Sequence, residues 1–139
     1  MIVLDTNVLS ELTRQVPDAT VLEWLDTLAA DEVATTAITA AELLYGVARL
    51  PAGHRKTGLA AAVHALIDDD FRSRVEPFDV LAAEQYAIVV SERDRRGRPI
   101  TSADAQIAGI CRSRNATLAT RNTKDFEDTG VELVDPWNP

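Results

Sequence analysis

Short apolar runs rich in β-branched residues alternate along this chain with longer segments of helical period, and that alternation limits the fold more than any other feature. A run of three or four apolar residues is too short for a helix and reads as a strand buried on both faces. Such strands belong in a parallel sheet covered by helices. The runs fall at Ile2 to Leu4, Val33 to Thr36, near Val75 to Phe78, Thr117 to Ala119 and Glu132 to Val134. Between them lie apolar stripes at helical spacing, beginning with Val8, Leu9 and Leu12. The next are Val21, Leu22, Leu25, Leu28 and Ala29; Leu43, Leu44, Val47 and Leu50; and Leu59, Val63, Leu66 and Ile67. Two more follow, Leu81, Tyr86, Val89 and Val90, then Ala103, Ile107, Ile110 and Cys111. The expected architecture is α/β: a central parallel sheet flanked by helices, in one domain spanning 1–139, with every stripe in the core.

Bulk properties narrow the function. The apolar share of 46% and charged share of 26% are those of an ordinary globular domain. The single cysteine, Cys111, sits in an apolar helical pattern and is expected to be a buried thiol, consistent with a reducing cytoplasm. The N-terminus has no positively charged leader and no long apolar run, so neither a signal peptide nor a membrane span is expected. A net charge of −8 disfavours broad adhesion to phosphate, yet arginines cluster locally in "SERDRRGRP" (Arg93, Arg95, Arg96, Arg98) and again at Arg112, Arg114 and Arg121. Any one of these arginines is as well explained by a solvated helix end. His54 and His64 fall at polar helix positions and are expected on the surface.

Acidic and amide residues share one structural address. Asp5 follows the first strand; Glu42 is expected in the first turn of the helix after the second; Asp104 opens the helix after "GRPITS"; Asn122 and Asp125 follow the strand at Thr117 to Ala119. Ligands of open parallel sheets bind beyond the carboxyl ends of the strands. Each acid also has a local explanation. "TAAE" (Thr39 to Glu42) fits a capping box, "TSAD" (Thr101 to Asp104) nearly does, and Asn122 or Thr123 suits the start of a short helix. Capping does not require the caps to share one sheet edge, and Asp5 precedes the better capping residues Thr6 and Asn7. Converging carboxylates without an interleaved cation raise one another's pKa, which points to a missing Mg²⁺ or Mn²⁺. Such a site suits hydrolysis of a phosphodiester by a metal-activated water, and no Ser-His or Cys-His arrangement competes with it.

The ordered landmarks "LDTNVLSEL", "ITAAELLYGVARLP", "PFD", "GRPITSADAQIAGI", "LATRNTKDF" and "VDPWNP" resemble the PIN-domain ribonucleases, and among them the VapC-type toxins of the FitB-like branch. The resemblance covers nearly the whole chain and implies a three-layer fold, Mg²⁺ or Mn²⁺, an RNA substrate, a homodimer and a VapB-type antitoxin as partner. It also implies that Asp5, Glu42 and Asp104 are the family's three acids, while Asn122 stands where many members carry a fourth Asp, so that Asp125 becomes a candidate ligand. Thr6 and Asn7 would then orient Asp5, and Thr120 would line the site. Arg93, Arg95, Arg96 and Arg98 form a candidate basic rim for RNA on their clustering alone. Two alternatives stand beside this one. A phosphatase of haloacid dehalogenase type needs a second Asp two residues after the first, where this chain has Asn7. A binding-only domain would use the acids to hold a basic peptide.

Overall fold

A computed structural model describes residues 1–139 and contains the five expected strands in one parallel sheet of order β3-β2-β1-β4-β5. They are β1 (Ile2–Leu4), β2 (Val33–Thr36), β3 (Val75–Glu76), β4 (Thr117–Ala119) and β5 (Leu133–Val134). The two edge strands are a little shorter than expected. Helices α1 (Thr6–Leu12) and α2 (Ala19–Asp26) connect β1 to β2, and α3 (Ala37–Ala48) and α4 (His54–His64) lead to β3. The last turns after α4 widen into a π-helix at Ala65–Asp70. Helices α5 (Val80–Arg95) and α6 (Ser102–Ser113) precede β4, and a 3₁₀ turn at Thr123–Phe126 precedes β5.

The pleat divides the apolar side chains between two cores. Val3 and Leu118 pack with Val89, Ile107, Ala108, Cys111 and Phe126 on one side, whereas their neighbours Leu4 and Ala119 pack with Val8, Leu9, Val21, Leu43 and Val63 on the other. Successive residues of a strand point to opposite faces, so a run such as Ile2-Val3-Leu4 must be apolar throughout.

Not every residue of the helical stripes is core. Leu81 is 62% exposed, and Leu22 and Leu44 are also exposed. On α5 the exposed Leu81 is joined by Val80 and Ile88, and on α3 Leu44 is joined by Tyr45. These two helices are apolar on more than the face that meets the sheet, which is the pattern of a surface that another chain covers.

Helices α5 and α6 pack more closely than side chains allow, because Gly109 lies at their crossing. A β-carbon there would come within 2.6 Å of the Ala82 carbonyl oxygen and 3.0 Å of the Tyr86 amide nitrogen. Both obstacles are backbone, so the helices must part. Gly109→Ala is expected to lower stability by about 2 kcal/mol in urea unfolding despite Ala's better helix propensity; an unchanged midpoint would contradict this packing.

Candidate active site

The parallel topology sets the address. Helix α1 follows β1 and α3 follows β2, so both begin at the carboxyl edge of the sheet; α6 runs antiparallel to β4, which it precedes, so its N-terminus reaches the same edge. β1 is central, and its last pairing, from the Asp5 amide to the Ala119 carbonyl (2.9 Å), places Asp5 beside Thr120. The result is a cleft of about 290 Å³ lined by Asp5, Thr6, Asn7, Ser10, Glu42, Asp104 and Asn122, with no Lys or Arg among them.

Asp5 is buried and held from three sides. The Thr6 amide donates to Oδ1 (2.8 Å), the Thr120 hydroxyl to Oδ2 (2.8 Å), and Asn7 Nδ2 lies 3.4 Å from Oδ2. Helix α1 begins at Thr6 as expected, but its N-cap is Asp5 itself rather than Thr6 or Asn7, which are better capping residues by type. Asp5 caps unusually, since it accepts the first amide of the helix rather than the second or third. Burial raises the pKa of Asp5 most; the hydrogen bonds from Thr120 and Thr6 oppose this, and the charges of Glu42 and Asp125 add to it, leaving the value above the ordinary one.

Asn7 and Thr120 form one bracket around that carboxylate. Asn7 Nδ2 also donates to Thr120 Oγ1 (3.2 Å), its Oδ1 accepts the Arg121 amide (3.1 Å), and the Asn122 amide donates to Thr120 Oγ1 (3.1 Å). With Asn7 tied in this way, no nucleophile–acid pair of the phosphatase kind exists. Thr6 serves the second acid: its hydroxyl donates to Glu42 Oε1 (2.8 Å) and lies 3.1 Å from Thr39 Oγ1.

Glu42 is one turn further into its helix than "TAAE" suggested. Thr36 rather than Thr39 caps α3, accepting the Thr39 amide (3.0 Å), so Glu42 sits in the second turn and projects over Thr6. Thr101 does cap α6 through the Asp104 amide (3.3 Å), as "TSAD" implied. The Asp104 pKa is raised from 3.8 to about 6, first by burial and then by the charge of Asp5, with Asp125 and Glu42 adding to the effect.

Asn122 lines the cleft but makes no side-chain cap bond to the 3₁₀ turn it precedes. Asp125 is exposed one step outside the cleft. It shares a side opening of about 120 Å³ with Asp104, and a second of about 300 Å³ with Asn122. Ser10 and Thr39 are the site residues that sequence reasoning missed. Ser10 was detectable as one helical turn beyond Asn7, whereas Thr39 was assigned to capping instead.

The basic rim needs correction at Arg93, which is 5% exposed and donates to the carbonyls of Arg98 (2.6 Å), Asp125 (3.0 Å) and Glu127 (2.8 Å). It anchors the loop after β4 through Nε and Nη1, so its main role is structural, although it also lines the small opening beside Asp104 and Asp125. Arg98 pairs with Glu127 and Asp128, and Arg96 with Asp128. Of the four, only Arg95 makes no ion pair or hydrogen bond through its side chain. Cys111 is buried, and burial pushes its thiol up to about 12, so it is inert at neutral pH. His54 and His64 are exposed.

No group of three or more His, Cys, Asp or Glu side chains is gathered tightly enough to hold a metal ion by itself. A hard ion such as Mg²⁺ does not need that cage, since it binds through one or two carboxylates and keeps waters or takes phosphate oxygens. The donor set fits it: oxygen ligands only, no competing cation, and an Asp104 whose pKa burial and then the charge of Asp5 raise in the absence of a cation. A larger cavity of about 420 Å³, lined by Gln85, Arg112, Asn115 and Glu132, lies at the opposite, amino edge and gathers no comparable acids.

Five parallel strands with acids delivered to their carboxyl edge beside α1, α3 and α6 define an α/β domain with a carboxylate cleft, and residues 2–132 match the PIN domain. The chain belongs to the PIN-domain family. It is 39% identical over 139 residues to VapC ribonuclease Y4jK of Sinorhizobium fredii, covering 100% of this chain and 99% of that protein. It is 40% identical over 138 residues to toxin FitB of Neisseria gonorrhoeae, covering 99% of each. A structure of FitAB bound to an IR36 DNA fragment superposes with a TM-score of 0.92 at 39% identity, covering 100% of this chain and 97% of that one.

Proposed function

We propose that this chain is a Mg²⁺- or Mn²⁺-dependent endoribonuclease and the toxin of a type II toxin-antitoxin pair, acting in the cytoplasm as a single PIN domain. The observation that carries the chemistry is the cation-free cleft in which Asp5, Glu42 and Asp104 converge, where burial first and neighbouring charges second raise the pKa of Asp5 and Asp104. In it Asp5, Glu42 and Asp104 would hold the ion, with Asn122 and Asp125 beside them. When bound, the ion supplies an activated water and steadies the charge that develops on the phosphodiester. The protein's own part is orientation. Thr6, Asn7 and Thr120 fix the Asp5 carboxylate, and Thr6 fixes Glu42, so both present set faces to the cleft.

The toxin role rests on the two relatives named as VapC ribonuclease and toxin FitB, and on the FitAB complex. A VapB-type antitoxin and a second copy of the chain are the expected partners, and the exposed apolar residues of α3 and α5 are surfaces they can cover. An acidic cleft also suits a basic inhibitory segment.

The test is cleavage of total RNA by the purified, partner-free chain with Mg²⁺ or Mn²⁺, beside Asp5→Ala. Wild type is expected to cleave and the variant to lose at least about a hundredfold. Equal cleavage by both overturns the assignment, and no cleavage by wild type favours a binding-only domain.

A further inference from the structure

The cleft's acids cannot attract RNA, so the cations that do must lie next to it, and two cavities each share a lining residue with it. One, of about 300 Å³, is lined by Arg121, Lys124 and Asp125 and meets the acid cleft at Asn122. The other, of about 540 Å³, is lined by His54, Arg55 and Arg14 among others and meets it at Ser10. Arg14 is already paired with the buried Glu11 (3.3 Å). None of the protein's seven ion pairs uses Arg121, Lys124 or Arg55.

Arg121 is also held in place. Its guanidinium lies 4.8 Å from the Trp137 ring centroid, and its amide is fixed on Asn7 Oδ1, the side chain that braces Asp5. Trp137 in turn packs against the core around Leu4 and Ala119. An exposed arginine restrained on an aromatic face loses less freedom when it meets a phosphate than an unsupported one.

We propose that single-stranded RNA crosses the cleft from the Arg55 cavity to the Arg121–Lys124 cavity, with Arg121, seated on Trp137, gripping a phosphate beside the one at the acids. This rests on the ribonuclease assignment and adds the strand's path and grip. Arg121, Lys124 and Arg55 bind substrate; Trp137 is a positioning residue that acts through Arg121. In place of the arginine run at Arg93 to Arg98, whose members are mostly engaged, the track uses cations from two distant parts of the sequence, Arg55 and the Arg121–Lys124 segment.

The experiment measures binding of a fluorescent 20-nucleotide single-stranded RNA to full-length protein carrying Asp104→Asn, with Mg²⁺, across a salt titration. Removing one cation that neutralises a phosphate flattens the slope of log K against log salt by about 0.7 for a single strand. The double change Arg121→Ala with Lys124→Ala is expected to flatten it by about 1.4, and Arg55→Ala by about 0.7. Arg72→Ala, on the loop entering β3 at the amino edge, is expected to leave it unchanged. In the cleavage-competent protein, Trp137→Leu is expected to raise KM about threefold to fivefold at constant kcat, and Trp137→Phe to restore most of the loss. If wild type cleaves RNA but the Arg121/Lys124 and Arg55 variants keep the wild-type slope, or Arg72→Ala flattens it equally, the track is wrong and the nuclease assignment stands. If the slopes flatten as expected but wild type cleaves nothing, the track is a binding site and the nuclease assignment fails.

Discussion

Asp104→Asn is expected to abolish RNA cleavage and, in the same protein, to raise thermal stability at pH 7.5 when no divalent ion is present. If Asp104 helps hold the ion as proposed, its loss removes several kcal/mol of transition-state stabilisation, at least about a hundredfold in rate. The stability gain follows from the raised pKa. Asp104 titrates near 3.8 in the unfolded chain and at about 6 in the fold, so between these values the native state holds more protons. Relative to the ionised state, its contribution to stability is fully present below about pH 3.8 and lost as pH rises through about 6. The shift corresponds to at most about 3 kcal/mol at neutral pH, and the half-exposed position reduces that to about 1 to 2 kcal/mol.

Differential scanning at pH 7.5 in EDTA should therefore place Asp104→Asn a few degrees above wild type, since about 1 kcal/mol moves the midpoint of a chain of this size by roughly 2–4 °C or slightly more. At pH 4 the two should converge. Adding Mn²⁺ should raise the wild-type midpoint by mass action and the variant's much less. A variant no more stable than wild type at pH 7.5 would mean that Asp104 is not under the strain its neighbours impose.

Much of this site was legible in the sequence because its determinants are local. An all-apolar triplet before Asp5 signals a strand buried on both faces, and a parallel sheet then fixes where that strand ends. Thr101 three residues before Asp104 signals the start of α6 in the same way. What could not be read depends on which way a side chain turns. "TAAE" is a capping box by spacing, yet Thr36 caps α3 and leaves Glu42 to reach Thr6. Leu44 and Leu81 keep the helical period of their neighbours but fall just outside the arc that meets the sheet. Arg121 and Trp137 are 16 positions apart, and no periodicity announces a stacked pair across β5.

The run at Arg93 to Arg98 is the clearest case of a sequence pattern with a different structural cause, and it yields the largest expected loss of stability. Arg93 lies on the inner side of the last turn of α5, where its guanidinium satisfies three backbone carbonyls, two of them in the segment from Asp125 to Glu127. Those carbonyls belong to irregular chain around the 3₁₀ turn at Thr123–Phe126, and no sheet bond satisfies them. Hydrogen bonds from a charged donor are among the stronger ones, and a buried acceptor left unpaired costs about 1–3 kcal/mol. Arg93→Met keeps the aliphatic stem and removes all three donors. It is expected to destabilise the protein by about 3 kcal/mol in urea unfolding and to loosen the loop that carries Asn122 and Asp125. Arg95→Met, one turn-end away and exposed, should change stability by less than about 0.5 kcal/mol. If Arg93 were instead a surface phosphate contact, the two substitutions would be equally mild and Arg93→Met would weaken RNA binding without shifting the urea midpoint.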